Sequence, residues 1–141
     1  MNVFIDTNVL IDYVCQRGEF ANAATHLMAY GCMGKVKLQT SALSYVTVMY
    51  VARKYDYQNV KESLLAISGF VEVLGLQSST VIEMLSSDWK DYEDSVLNHT
   101  AICGNSVCIV TRNVKDFKDS TLPVYTVEEF LKLLEEDDKN E

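Results

Sequence analysis

A single proline in 141 residues leaves few fixed breaks, which fits a regular, compact fold and gives no proline-rich linker. Long apolar runs are also missing. None reaches the roughly 20 residues needed to span a bilayer, so no membrane partner is expected. No basic segment precedes the first apolar stretch, which argues against a signal peptide and for a cytoplasmic protein. Cysteine is scarce: Cys15, Cys32, Cys103 and Cys108, with no C-x-x-C spacing. Set among apolar neighbours, these read as reduced thiols rather than a disulfide framework. A zinc site is not expected, because His26 and His99 are the only histidines and neither lies near a cysteine pair.

Positive charge is short as well. Twelve Lys and Arg face twenty Asp and Glu, for a net charge of −8, a balance that argues against a general nucleic-acid binder. Half of that excess is local: five acids and one lysine in EEDDKNE contribute −4. The chain therefore divides into one domain, residues 1–134, and an acidic tail, 135–141, expected to be solvated and flexible. An acidic cluster at a metal site would account for much of the remaining −4, so the acidity weakens RNA as a partner without excluding it.

What is present alternates between two patterns. Short β-type runs occur at VFI (3–5), VKLQT (36–40), VEVLGL (71–76), SVCIVT (106–111) and PVYT (123–126). VFI and VCIV are almost continuously apolar, as strands buried on both faces of a parallel sheet should be. Between them, FANAATHLMAYG and YQNVKESLLAISG carry helical spacing, with Gly31 and Gly69 as stops. SALSYVTVMYVARK has β-branched residues that suit a strand as well, but its length and the spacing of Leu43, Val46 and Tyr50 favour a helix. Thr80 with Glu83, and Thr126 with Glu129, have capping-box spacing. The expected fold is α/β: three layers, α/β/α, around a mainly parallel sheet of about five strands. Ligands of such sheets bind beyond the carboxyl ends of the strands. Asp6 stands at that end of the first strand, and Thr111, Arg112 and Asn113 at that end of the fourth.

Asp6 ends an apolar run that restarts at once in FIDTNVLID. The densest acidic stretch, SSDWKDYEDSVLNH, holds Asp88, Asp91, Glu93 and Asp94 where a helix begins. Acids in a first turn cap free N–H groups and complement the helix dipole, which is the simpler account of Asp88 and Asp91. Asp94, further in, caps less well, and shares a face with Asp91 and Asn98. Asn113 and Asp116 follow the fourth strand, where an Asx turn and a short helical cap are the simpler account. Asp6, Asp94 and Asp116 nevertheless come from three separate segments. Brought together without a cation they would repel and raise at least one pKa; a hard ion such as Mg²⁺ removes that conflict. Such a site acidifies a water for attack on a phosphodiester. No Ser-His-Asp or Cys-His pairing competes.

At FIDTNVLID (4–12), SALSYVTVMYVARK (41–54), DYEDSV (91–96) and IVTRNVKDF (109–117) the chain resembles the PIN-domain family of metal-dependent ribonucleases, which includes VapC-type toxins of toxin–antitoxin modules. The four blocks occur in the family's order across nearly the whole chain. The resemblance implies an Mg²⁺-dependent endoribonuclease, with Mn²⁺ as a substitute, acting on single-stranded RNA. It implies Asp6, Asp94 and Asp116 as catalytic metal-binding acids. Thr7 and Asn8 would orient Asp6, while Asp91 and Glu93 would assist Asp94. Asn113 stands where many members have another aspartate, and Asp116 would supply that charge. Thr47 stands where the toxin branch usually has a glutamate. With Thr47 and Asn113 neutral, weaker metal binding is expected, with a second ion recruited by substrate phosphate. Among Arg17, Arg53, Lys54, Arg112, Lys115 and Lys118, the best-placed phosphate contacts are Arg112 and Lys115. The family implies a homodimer and a small antitoxin partner; Met28, Tyr30, Met33, Met49 and Tyr50 suit either an interface or the core.

Two other functions compete. A catalytically weak or inactive PIN-fold binding module would also carry Thr47, Asn113 and the acidic balance. An aspartyl phosphatase would show D-x-D after the first strand, whereas the third position here is Asn8.

Overall fold

Val3, Phe4 and Ile5 are each completely buried, which a strand allows only when both faces of its sheet are covered. They form β1 (Asn2–Ile5), the centre of the sheet in the computed structural model, which describes residues 1–140. Around it lie β2 (Lys37–Ser41), β3 (Val71–Leu74), β4 (Cys108–Val110) and β5 (Val124–Tyr125). The order is β3-β2-β1-β4-β5, and every pairing is parallel. All five strands expected from the sequence are present, and the sheet is parallel throughout.

The two-residue alternation of a strand divides the core. Val3, Ile5, Leu38, Cys108 and Val110 face one helical layer, packing with residues of α1 (Thr7–Val14), α2 (Ala21–Cys32), α3 (Ala42–Val51), α4 (Tyr57–Ile67) and α7 (Val127–Lys139). Phe4 and Ile109 face the other, against Leu97 and Ala101 of α6 (Tyr92–Cys103) and Phe117. Helix α5 (Ser78–Ser86) packs beside α6. Three layers result. No helix among the described residues is long and apolar enough to cross a membrane.

Several local expectations are corrected. Gly31 does not stop its helix; α2 continues to Cys32, and Gly31 is buried where a Cβ would stand 2.6 Å from Leu38 Cδ1. The turn comes at Gly34, whose φ of +76° suits glycine. Thr80 caps nothing: α5 starts at Ser78, and Thr80 is buried inside it. The Thr126–Glu129 capping box is present, both bonds formed. Helix α3 buries Ser44 and Val48 and turns Val46 and Tyr50 outward, at 67% and 66% exposure. Met28 packs in the core, whereas Met33 is exposed. Residues 135–139, expected as a tail, are helical as the end of α7, with Lys35 Nζ 3.5 Å from Asp138 Oδ1; position 141 lies outside the described residues.

The chain runs outward from β1 through β2 to β3, then returns to the other side of β1 for β4 and β5. The reversal falls between β1 and β4, so the loops leaving those two strands diverge and open a crevice. Asp6 leaves β1 and Thr111–Asp116 leave β4 at this point.

Candidate active site

The apolar restart after Asp6 is helix α1, and Asp6 is its N-cap. A strand followed at once by a helix leaves the first helical N–H groups unpartnered. Asp6 Oδ1 accepts one of them, the Thr7 N–H, at 2.7 Å. Its Oδ2 accepts the Thr111 hydroxyl at 2.8 Å. One oxygen is thus fixed by the start of α1 and the other by the residue that follows β4, and the side chain is only 4% exposed. Thr7 Oγ1 lies 2.8 Å from Ser44 Oγ, which ties the start of α1 to α3. Among the described residues every buried side-chain polar atom has a partner.

Asp6, Glu93, Asp94 and Asp116 line one open cleft of about 300 Å³, together with Asp91, Thr7, Asn8, Arg17 and Thr47. Asp91 is the N-cap of α6, accepting the Asp94 N–H at 3.0 Å. That is the capping role the sequence allows, and it aligns the helix start with the cleft. Asp94 follows in the first turn of α6. Thr47 Oγ1 of α3 lies 3.5 Å from Glu93 Oε1, so the neutral position on α3 faces a carboxylate from α6. Asp116 sits in the short 3₁₀ turn Val114–Phe117, anchored by buried Phe117.

The charges oppose one another. Burial pushes the Asp6 carboxyl up from 3.8 to about 6; the bonds from Thr111 and Thr7 pull the other way, and Glu93 and Asp116 push it further up. Asp94 rises to about 7, through burial first and then repulsion from Asp91, Asp6, Asp116 and Glu93. No three of the described His, Cys, Asp or Glu residues are grouped as a ready-made metal cage. The donor set still fits Mg²⁺, which is commonly held by one or two carboxylates while keeping several waters and binding substrate phosphate.

The positive residues divide. Arg112 Nη1 lies 3.3 Å from Asp12 Oδ1, and its guanidinium covers the Phe20 ring at 4.4 Å. It is turned away from the acids and lines neither them nor the adjoining groove. Arg17 reaches the cleft instead, with Nε 2.9 Å from Asp12 Oδ1 and Nη2 3.5 Å from Asn8 Oδ1. Lys115 lines a second groove that shares Asp91, Asp94 and Asp116 with the first. Asn113 is exposed outside both; its N–H donates to Thr111 Oγ1 at 3.1 Å.

Two residues of the site escape a reading of the sequence, Ser44 and Asp12. Thr111, just past β4, is selected by the rule that selects Asp6, but its bond to Asp6 is not. Ser44 is one helical turn before Thr47, which offers a weaker signal. Asp12 is 2% exposed and clamps both Arg17 and Arg112. It has no signal until α1 is recognised as a helix.

The PIN domain family matches residues 2–115 of the chain. Solved structures share the architecture. A toxin–antitoxin complex from Klebsiella pneumoniae is 22% identical, with 89% of this chain and 97% of that one covered at a TM-score of 0.66. VapBC2 from Rickettsia felis, bound to a DNA fragment from their promoter, is 16% identical over 88% and 97% at 0.66. PAE2754 from Pyrobaculum aerophilum is 15% identical over 95% and 89% at 0.65. Likeness at these identities establishes the fold. No curated protein matches the chain.

Proposed function

The chain belongs to the PIN domain family, and on that premise we propose that it is an Mg²⁺-dependent endoribonuclease, the toxin of a toxin–antitoxin pair. The observation that carries the reading is the convergence of Asp6, Asp94 and Asp116, from three separate segments, on one cleft at the switch point of the sheet. Burial and neighbouring carboxylates hold the Asp6 and Asp94 carboxyls above their ordinary range, a conflict that a cation would relieve.

In this reading Asp6, Asp94 and Asp116 would hold the ion. What Mg²⁺ supplies when bound is neutralisation of phosphate charge and acidification of water for in-line attack. The chain supplies the rest. Thr7 and Thr111 fix both Asp6 oxygens, so that carboxylate needs no reorientation. Glu93 contributes negative charge beside Thr47, where α3 itself has none. Lys115, in the outer groove beside Asp116, meets the phosphate backbone. Asp12, Arg17 and Arg112 brace the loops that carry these groups.

The solved relatives described as toxin–antitoxin complexes support a small antitoxin as partner. The outward apolar residues Val46 and Tyr50 of α3 suit burial in a homodimer or against that partner. A weak or inactive binding module is the second reading, favoured by neutral Thr47 within the cleft.

Purified protein is expected to cleave single-stranded RNA in Mg²⁺ or Mn²⁺ and to stop in EDTA. Loss of groups that merely orient metal ligands costs about 10- to 100-fold, so D6N and D94N should each lose at least that much. Equal cleavage by wild type and both variants would assign the activity to a contaminant.

A further inference from the structure

The acid cleft continues into a larger groove of about 440 Å³, with Asp91, Asp94 and Asp116 as the shared wall. The two differ in lining. The outer groove adds the ring of Trp89 and the amines of Lys90, Lys115 and Lys118. Trp89 is half-buried, its ring set edge-on to Phe117 at 6.0 Å and 70°. Its backbone N–H donates to Ser87 Oγ at 3.4 Å, and Ser87 Oγ lies 3.2 Å from Ser95 Oγ of α6. The residue is thus held at its ring by Phe117 and at its backbone by Ser87, and it lines the groove. The volume lies within the about 300–1,000 Å³ of small-ligand sites.

A fixed aromatic ring beside amines is what a single strand requires: a surface for a base and donors for a phosphate. Five carboxylates, those of Asp88, Asp91, Asp94, Asp116 and Asp119, outnumber the three lysines along the groove, so charge alone does not draw a phosphate there and stacking must contribute. A paired base cannot meet the ring, because its faces are already stacked within the duplex. We propose that this groove is a nucleotide subsite for single-stranded nucleic acid, one base lying on Trp89 and the adjoining phosphate meeting Lys115 and Lys118. The inference rests on the nuclease reading only for its direction: it seats the nucleotide beside the one whose phosphate enters the acid cleft.

Trp89 is the sole tryptophan of the chain, so its emission reports this groove alone. The protein in EDTA is titrated with a short oligouridylate, its deoxy counterpart and an RNA duplex. Both single strands should quench the emission, because stacking reads the base face, and the duplex should not. Stacking is worth about 1–3 kcal/mol per base, so W89L should weaken binding of labelled oligouridylate about 5- to 150-fold, with W89F retaining most of it. K118A should flatten the salt dependence by about 0.7 in log–log slope. It probes the groove without touching the core should W89L not fold. Unchanged emission with bound oligonucleotide, or full affinity in W89L with an unchanged salt slope in K118A, would overturn the subsite. Quenching without any cleavage in Mg²⁺ would support the subsite and remove the nuclease reading; cleavage with unquenched emission would do the reverse.

Discussion

Asp6 holds two short hydrogen bonds that favour its charge and a burial that opposes it. Burial wins. The folded chain therefore binds the Asp6 proton more tightly than the unfolded chain does, and in metal-free protein stability falls as pH rises from about 4 toward 6. At about 1.4 kcal/mol per tenfold, the buried charge costs roughly 3 kcal/mol at pH 7. D6N removes that cost while keeping an oxygen for Thr7 or Thr111. In EDTA at pH 7 it should melt several degrees above wild type, with the gap closing near pH 4. Mg²⁺ should raise the wild-type midpoint and leave D6N unmoved. A D6N protein that melts lower at pH 7, or gains equally from Mg²⁺, would count against this account of the residue. Asp6 was legible in the sequence because a buried strand ending on an acid is unusual. Ser44 was not, nor was the bond from Thr111 to Asp6, because hydroxyls serve too many structural purposes to stand out.

At the scale of elements, β1 and β4 were the most legible, because burial on both faces leaves a continuous apolar run. Helix α3 shows where such reading fails. It is apolar on nearly every side, so spacing pointed to Val46 and Tyr50, whereas the buried face carries Ser44 and Val48. Ser44 turns inward because its hydroxyl partners Thr7 beneath the acid cleft. Helix α1 was hidden for another reason: eight residues following a strand without a break give little period to read. Gly31 is a tighter case. It reads as a stop, yet its hydrogen is what lets α2 approach Leu38 of β2, which is itself fully buried. G31A should destabilise the fold, since overpacking costs about 1–3 kcal/mol and the better helix propensity of alanine offsets at most about 1. Urea unfolding reads this directly; an unchanged or raised midpoint would mean that α2 and β2 are not in close contact.

Across the whole molecule, one topological event assembles the site. Because β4 returns beside β1, the segments after both strands flank one crevice, and α6 delivers Asp94 to the same cleft. The order of acids along the chain was legible; their meeting depended on a strand order that composition cannot give. Arg112 illustrates the limit. Its position in sequence is next to the site, yet the fold turns it onto Asp12 and Phe20 and brings Arg17 to the cleft. The net charge of −8 likewise acquires a location, part of it concentrated where a cation would relieve it. The central claim is that these acids act as one metal site, and a calorimetric titration of wild type and D6N with Mn²⁺ tests it most directly. The wild type should give a saturable isotherm that D6N weakens at least about tenfold; superimposable isotherms would contradict the claim and leave the fold as an inert scaffold.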